Sequence, residues 1–146
     1  ATLGVFCCIC GFFTWRYPIG ESILVATGTG IAPFRAMLQS YLTAGGESKI
    51  TLVYGVRYEE SLLYRKEFEE LQQQYPNFTF MPTLTRADPS WTGLLGRVQT
   101  HTLEVLGARQ DVDVYICGLK AMVDDMRARL KELGLDRKRI IFEKYD

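Results

Sequence analysis

The chain has 146 residues, with 17 Lys and Arg against 17 Asp and Glu, so its formal net charge is zero. That length holds one domain with a sizeable core and leaves little room for a second. The balanced charge supplies no general field for nucleic acid or an anionic membrane. Apolar residues at 47% and charged residues at 23% are ordinary globular values, and five prolines with no low-complexity tract exclude a disordered chain.

The apolar stretch at residues 3–15 spans about 13 residues, whereas a membrane-crossing helix needs roughly 20. It lacks the basic lead of a secretion signal. The chain opens on this stretch without Met. The expectation is a piece of a longer polypeptide, with residues 1–16 left over from an upstream unit and residues 17–146 forming the domain. Cys7, Cys8 and Cys10 crowd here, while Cys117 stands alone. A metal site wants CxxC pairs or nearby histidines, and the single histidine, His101, is far along the chain. A protein of this size needs no disulfide framework. The thiols therefore read as small apolar groups in a reducing, cytoplasmic compartment, and the pattern gives Cys7, Cys8 and Cys10 no particular role.

Beyond residue 20, short apolar runs alternate with amphipathic stretches. Residues 22–26 (SILVA) read as a strand buried on both faces, and residues 32–42 as a helix with Phe34, Met37, Leu38, Tyr41 and Leu42 on one stripe. Gly45 and Gly46 end that helix. Residues 49–54 (KITLVY) form a second strand. Tyr64, Phe68, Leu71 and Tyr75 recur at helical spacing up to Pro76.

Residues 79–84 form a third strand, which Pro82 assigns to a sheet edge. Residues 85–96 read as a loop and 98–106 as a short helix ended by Gly107. Residues 112–117 (VDVYIC) form a fourth strand, broken by Gly118. Val123, Met126, Leu130 and Leu133 mark the last helix, with Gly134 as its C-cap, and residues 139–142 a fifth strand. The charges of residues 65–70 pair on a solvated helix face. The basic run 137–139 reads as solubilising an edge rather than binding nucleic acid, with docking of an acidic electron carrier as the alternative.

Five strand–helix alternations predict an α/β, three-layer fold with a five-stranded parallel sheet flanked by helices on both faces. Right-handed crossovers bring all strand C-terminal ends to one edge, where such sheets bind ligands near the reversal of strand order. Thr27, Gly28, Thr29 and Gly30 lie at that edge. Glycine there lets a backbone approach a ligand and take positive φ, and Pro33 in the first helical turn gives up an N–H that has no intrahelical partner. A helix start behind such a turn suits a pyrophosphate.

Residues 26–38 (ATGTGIAPFRAML), 53–71 (VYGVRYEESLLYRKEFEEL), 115–122 (YICGLKAM) and 142–146 (FEKYD) resemble, in order and spacing, the NAD(P)-binding domain of the ferredoxin–NADP reductase superfamily. The resemblance covers the chain from about residue 17 onward, giving a Rossmann-like fold. It implies a pyridine nucleotide presented for hydride transfer to FAD or FMN, which a separate antiparallel barrel holds. Residues 1–6 (ATLGVF) resemble the tail of the segment that closes such a barrel, and the barrel's own flavin motif is absent from this sequence.

By resemblance, Thr27, Gly28, Thr29, Gly30 and Pro33 cradle the pyrophosphate. Cys117 lies beside the nicotinamide with Gly118, Leu119 and Met122. Glu143 and Tyr145 match the terminal carboxylate and flavin-stacking aromatic. Gly55 and Arg57 follow the second strand in motif. Thr85 and Arg86, with Arg97 and Arg57, are candidates for a 2′-phosphate, which guanidinium forks and hydroxyls grip best. This favours NADP(H) over NAD(H), though NAD-using relatives also carry arginine here. The implied partners are the flavin barrel of the parent polypeptide and an electron acceptor such as a ferredoxin or an oxygenase component, with no nucleic acid and no membrane. The implied enzyme is an NAD(P)H-dependent flavin oxidoreductase, inactive as this fragment alone. The alternatives are a non-catalytic nucleotide-binding or interaction module and, last, a dehydrogenase without flavin, for which no proton relay is evident.

Overall fold

The structure, a computed structural model, describes residues 13–145. Cys7, Cys8, Cys10 and the barrel-like segment 1–6 lie outside the described residues. Six strands are present: β1 (Ser22–Thr27), β2 (Ile50–Val56), β3 (Phe78–Leu84), β4 (Leu94–Leu95), β5 (Asp113–Leu119) and β6 (Ile140–Tyr145). Four helices accompany them: α1 (Ala32–Thr43), α2 (Arg65–Gln74), α3 (Val98–Leu106) and α4 (Lys120–Glu132). The strands are all parallel, in the order β4-β3-β2-β1-β5-β6.

The sheet separates two cores, as the alternation of side chains across a strand requires. Leu24, Ala26, Tyr54 and Tyr115 face Phe34 and Leu38 of α1 and Phe68 of α2. Ile23, Val25, Val114 and Ile116 face Val98 and Leu106 of α3 and Val123, Met126 and Leu130 of α4. Phe13 and Trp15 are buried in the first of these cores. The Trp15 indole N–H donates to the Met37 carbonyl at 2.9 Å, and the Arg16 amide donates to the Tyr115 hydroxyl at 2.9 Å. Among the described residues no helix is long and apolar enough to cross a membrane, and no cluster of His, Cys, Asp or Glu is arranged to hold a metal.

Two expectations are corrected. The sheet has six strands, because Leu94 and Leu95, inside the expected loop 85–96, pair with Thr83 and Leu84. Gly118 does not break the fourth strand. β5 runs through it to Leu119, pairing Gly118 with Lys144 and Leu119 with Tyr145 of a β6 longer than expected.

The edge reading of Pro82 holds over most of β3, since β4 covers only its last two residues. The Thr85 amide donates to Val56 on β2, whereas the Leu84 carbonyl turns the other way and accepts from Gly96. Alternation then puts the missing N–H of Pro82 on the outer side, along with the Phe80 amide. That amide donates instead to the Gln72 side chain at 2.7 Å. Gln72→Ala leaves the Phe80 amide without this acceptor and is expected to lower stability by about 1 kcal/mol, read as a lower urea midpoint at unchanged slope.

Candidate functional site

The chain leaves β1 outward through β2 to β4 and returns on the other side as β5 and β6, so the strand order reverses between β1 and β5. The loops after these two strands run to opposite faces, and sheets of this kind hold their ligands in the crevice beyond such strand ends. Its two walls are the 3-10 turn Gly28–Ile31 leading into α1, and the end of β5 leading into α4.

Glycines set how closely these walls meet. A Cβ on Gly30 would run into the Cys117 carbonyl, and one on Gly118 would strike the Thr27 hydroxyl and, at 2.7 Å, the Met122 methyl. Gly28 is different: its φ is +56° and the space around its Cα is open. Pro33 is buried in the first turn of α1. The Thr27 hydroxyl oxygen is buried without a hydrogen-bond partner among the described residues. An orphaned polar atom at the crevice wall, beside open space at Gly28, fits a ligand with polar groups. Gly55 is the register partner of Thr27 on the neighbouring strand. It is buried on β2, and the place of its Cβ is occupied by Val98 of α3 at 2.6 Å.

Cys117 and Glu143 are register partners on β5 and β6, and Tyr145 follows two residues on, along the same face. The Tyr145 hydroxyl lies 3.5 Å from the Thr29 carbonyl, so these residues converge on the crevice. Cys117 has no exposed surface and is packed within the core. Leu119, by contrast, is 60% exposed. Burial pushes the Glu143 carboxyl above the ordinary carboxylate range, and no ion pair engages it among the described residues.

The arginines gather on the other arm of the edge. The Arg86 amide donates to the Arg57 carbonyl at 2.8 Å, which joins the loops after β2 and β3. Arg97 follows β4 after Gly96 and occupies the N-cap position of α3, with no side-chain cap bond. Thr85, Arg57, Arg86 and Arg97 are all exposed. Arg35, Arg65, Arg109, Arg127, Arg129 and Arg139 each sit in an ion pair, whereas none of the described acids pairs with Arg57, Arg86 or Arg97. Arg86 shares a cleft of about 300 Å³ with Tyr58, Glu59, Glu60 and Asp88. Arg65 holds Glu59 at 2.7 Å, and Asp88 accepts from the Ser90 amide.

Residues 24–128 match the family model described as the oxidoreductase NAD-binding domain. The chain belongs to that family. It is 41% identical over 132 residues to a ferredoxin–NADP reductase B of Sorangium cellulosum, an alignment covering 86% of this chain and 54% of that protein. It is 31% identical over 140 residues to the reductase component of a Pseudomonas phenol 2-monooxygenase, covering 92% and 39%. A Neisseria gonorrhoeae ferredoxin–NADP+ reductase, solved with bound FAD and NADP, superimposes with a TM-score of 0.71 at 25% identity, covering 88% and 58%. The chain thus spans about half, or less, of the curated relatives quoted, and it is an NAD-binding domain of the kind found in flavin-dependent reductases.

One feature of this NAD-binding domain escapes sequence reasoning: Tyr54, which reads as one more buried strand aromatic, reaches the rim through its hydroxyl. His101 has the structural role that its lone place in the sequence suggests: its Nε2 lies 2.7 Å from the Leu95 carbonyl and ties α3 to β4.

Gly28→Ala meets only a left-handed φ and is expected to cost about 1–2 kcal/mol. Gly30→Ala forces backbone apart and is expected to cost clearly more, a ranking that thermal unfolding of the two variants checks. Glu143 provides a pH test. Its raised pKa means the neutral form suits the fold, so its contribution is fully present below about pH 4 and is lost as pH rises through the raised value. Glu143→Gln is therefore expected to unfold at a higher temperature than the native chain near pH 7, with the gap closing toward pH 4.

Proposed function

We propose that this domain holds NADPH at the β1/β5 crevice and presents it to a flavin carried by another part of the parent protein. The observation that carries the reading is the pair of interlocked glycines at the switch point, beside the open turn at Gly28 and the orphaned Thr27 hydroxyl. Thr27, Gly28, Thr29 and Gly30, with Pro33 behind them, receive the pyrophosphate. Gly118, Leu119 and Met122 border the nicotinamide. Arg86, with Thr85, Arg57 and Arg97, takes the 2′-phosphate, where unpaired guanidiniums are available for charge-assisted contacts. A nicotinamide held there would supply a hydride to the flavin, with electrons passing on to an acceptor such as a ferredoxin or an oxygenase component.

The chain's own residues bind, orient and exclude water. Cys117 and Glu143 sit under the crevice on adjacent strands, and Tyr145 closes it from β6. Glu143 is a half-buried carboxyl whose ionisation is opposed by burial, paired in register with Cys117. The complete burial of Cys117 favours a second reading, in which the domain binds nucleotide without presenting it for reaction. The two separate when the chain is joined to a flavin-binding domain: NADPH-dependent reduction of ferricyanide supports the first, and binding without turnover the second.

For cofactor choice, Arg86→Ala is expected to weaken NADPH binding about tenfold, corresponding to roughly 1.5 kcal/mol for a charge-assisted contact at an exposed site. NADH binding is expected to change by less than about twofold. Calorimetric titration of both nucleotides checks this, and equal losses would remove the 2′-phosphate assignment.

A further inference from the structure

The Tyr54 ring is fully buried on β2, yet its oxygen joins the Gly28 turn to the loop between β2 and α2. It donates to the Gly28 carbonyl at 3.1 Å and accepts the Leu63 amide at 3.2 Å. We propose that Tyr54 is a positioning residue for the pyrophosphate turn, its hydroxyl fixing the Gly28–Thr29 peptide so that the Thr29 N–H faces the ligand. The inference rests on the nucleotide-binding reading of that turn.

The hydroxyl has one hydrogen. The Leu63 amide can only donate, so it occupies an oxygen lone pair and leaves that hydrogen to the Gly28 carbonyl. In a planar trans peptide the carbonyl of one residue and the N–H of the next point in opposite directions. A Gly28 carbonyl drawn inward to a buried phenol therefore sends the Thr29 N–H outward, on a stretch where Gly28 and Thr29 are both exposed. Gly28 most needs such a restraint, because it lies at φ +56° in open space and glycine has the widest backbone freedom. Burial also pushes the Tyr54 phenol above its ordinary pKa, which keeps the donor proton in place. The loop that supplies Leu63 holds its own shape through the Ser61-to-Tyr58 and Leu62-to-Glu59 backbone bonds and the Arg65–Glu59 pair.

Tyr115 provides a matched control. It is equally buried, on β5, and its hydroxyl also engages a backbone amide, that of Arg16. The test measures ADP-ribose affinity and thermal unfolding for the 146-residue chain, Tyr54→Phe and Tyr115→Phe. The expected result is a comparable loss of stability in both variants, with ADP-ribose binding weakened about five- to tenfold in Tyr54→Phe alone. Binding by Tyr54→Phe within about twofold of the native chain, or an equal loss in Tyr115→Phe, overturns the proposal. Should Tyr54→Phe fail to fold, the native chain still decides: the Thr29 amide proton is expected to shift downfield as ADP-ribose saturates it, and an unmoved resonance overturns the proposal. Failure of the native chain to bind ADP-ribose overturns the site reading as well, which distinguishes the two.

Discussion

Everything functional in this molecule depends on how closely two backbones approach at the middle of the sheet. β1 and β5 are hydrogen-bonded neighbours whose following loops diverge into α1 and α4 on opposite faces. Gly30 lies against the Cys117 carbonyl, and Gly118 against the Thr27 hydroxyl. A side chain at either position would force the walls apart. Cys117, Glu143 and Tyr145 are then carried to the same place by register alone, because β6 pairs with β5 through to Tyr145.

The two arms of the edge are chemically unlike. On the β5–β6 side Cys117 is buried and Glu143 and Tyr145 are half-buried, a setting in which charge on Glu143 is disfavoured. On the β2–β4 side Arg57, Arg86 and Arg97 are exposed, and none of the described acids pairs with them. A long ligand with an uncharged ring at one end and phosphate at the other would experience that gradient along its length. The acids in the Arg86 cleft temper it, though Glu59 is already held by Arg65. Tyr54 lies between the arms, which is why a strand residue becomes part of the site's framework.

The buried strands, the amphipathic helices and the residues at the strand ends were legible because period and glycine placement leave direct marks on a sequence. Pro82 marked an edge for a valid physical reason, its missing donor, but could not reveal that β4 would cover the last two residues of that edge. Two leucines in a glycine-rich segment are too short for any period to register. A glycine inside a strand and one that ends it look alike in sequence; for Gly118 its pairing with Lys144 tells them apart. Cys117 was placed correctly in the chain, but its full burial depends on long-range packing. The Tyr54 hydroxyl contacts join residues 26 and nine positions apart, beyond what a linear pattern can express.

The outer flank of β3 has a consequence of a different kind. Its backbone donors are consumed by a glutamine side chain at Phe80, deleted by proline at Pro82 and covered by β4 thereafter. A flank short of spare donors gives an invading segment a poor template, which disfavours strand addition from that side. The chain can therefore keep the apolar run FTFMPTL at the margin of its sheet and still remain a discrete particle there.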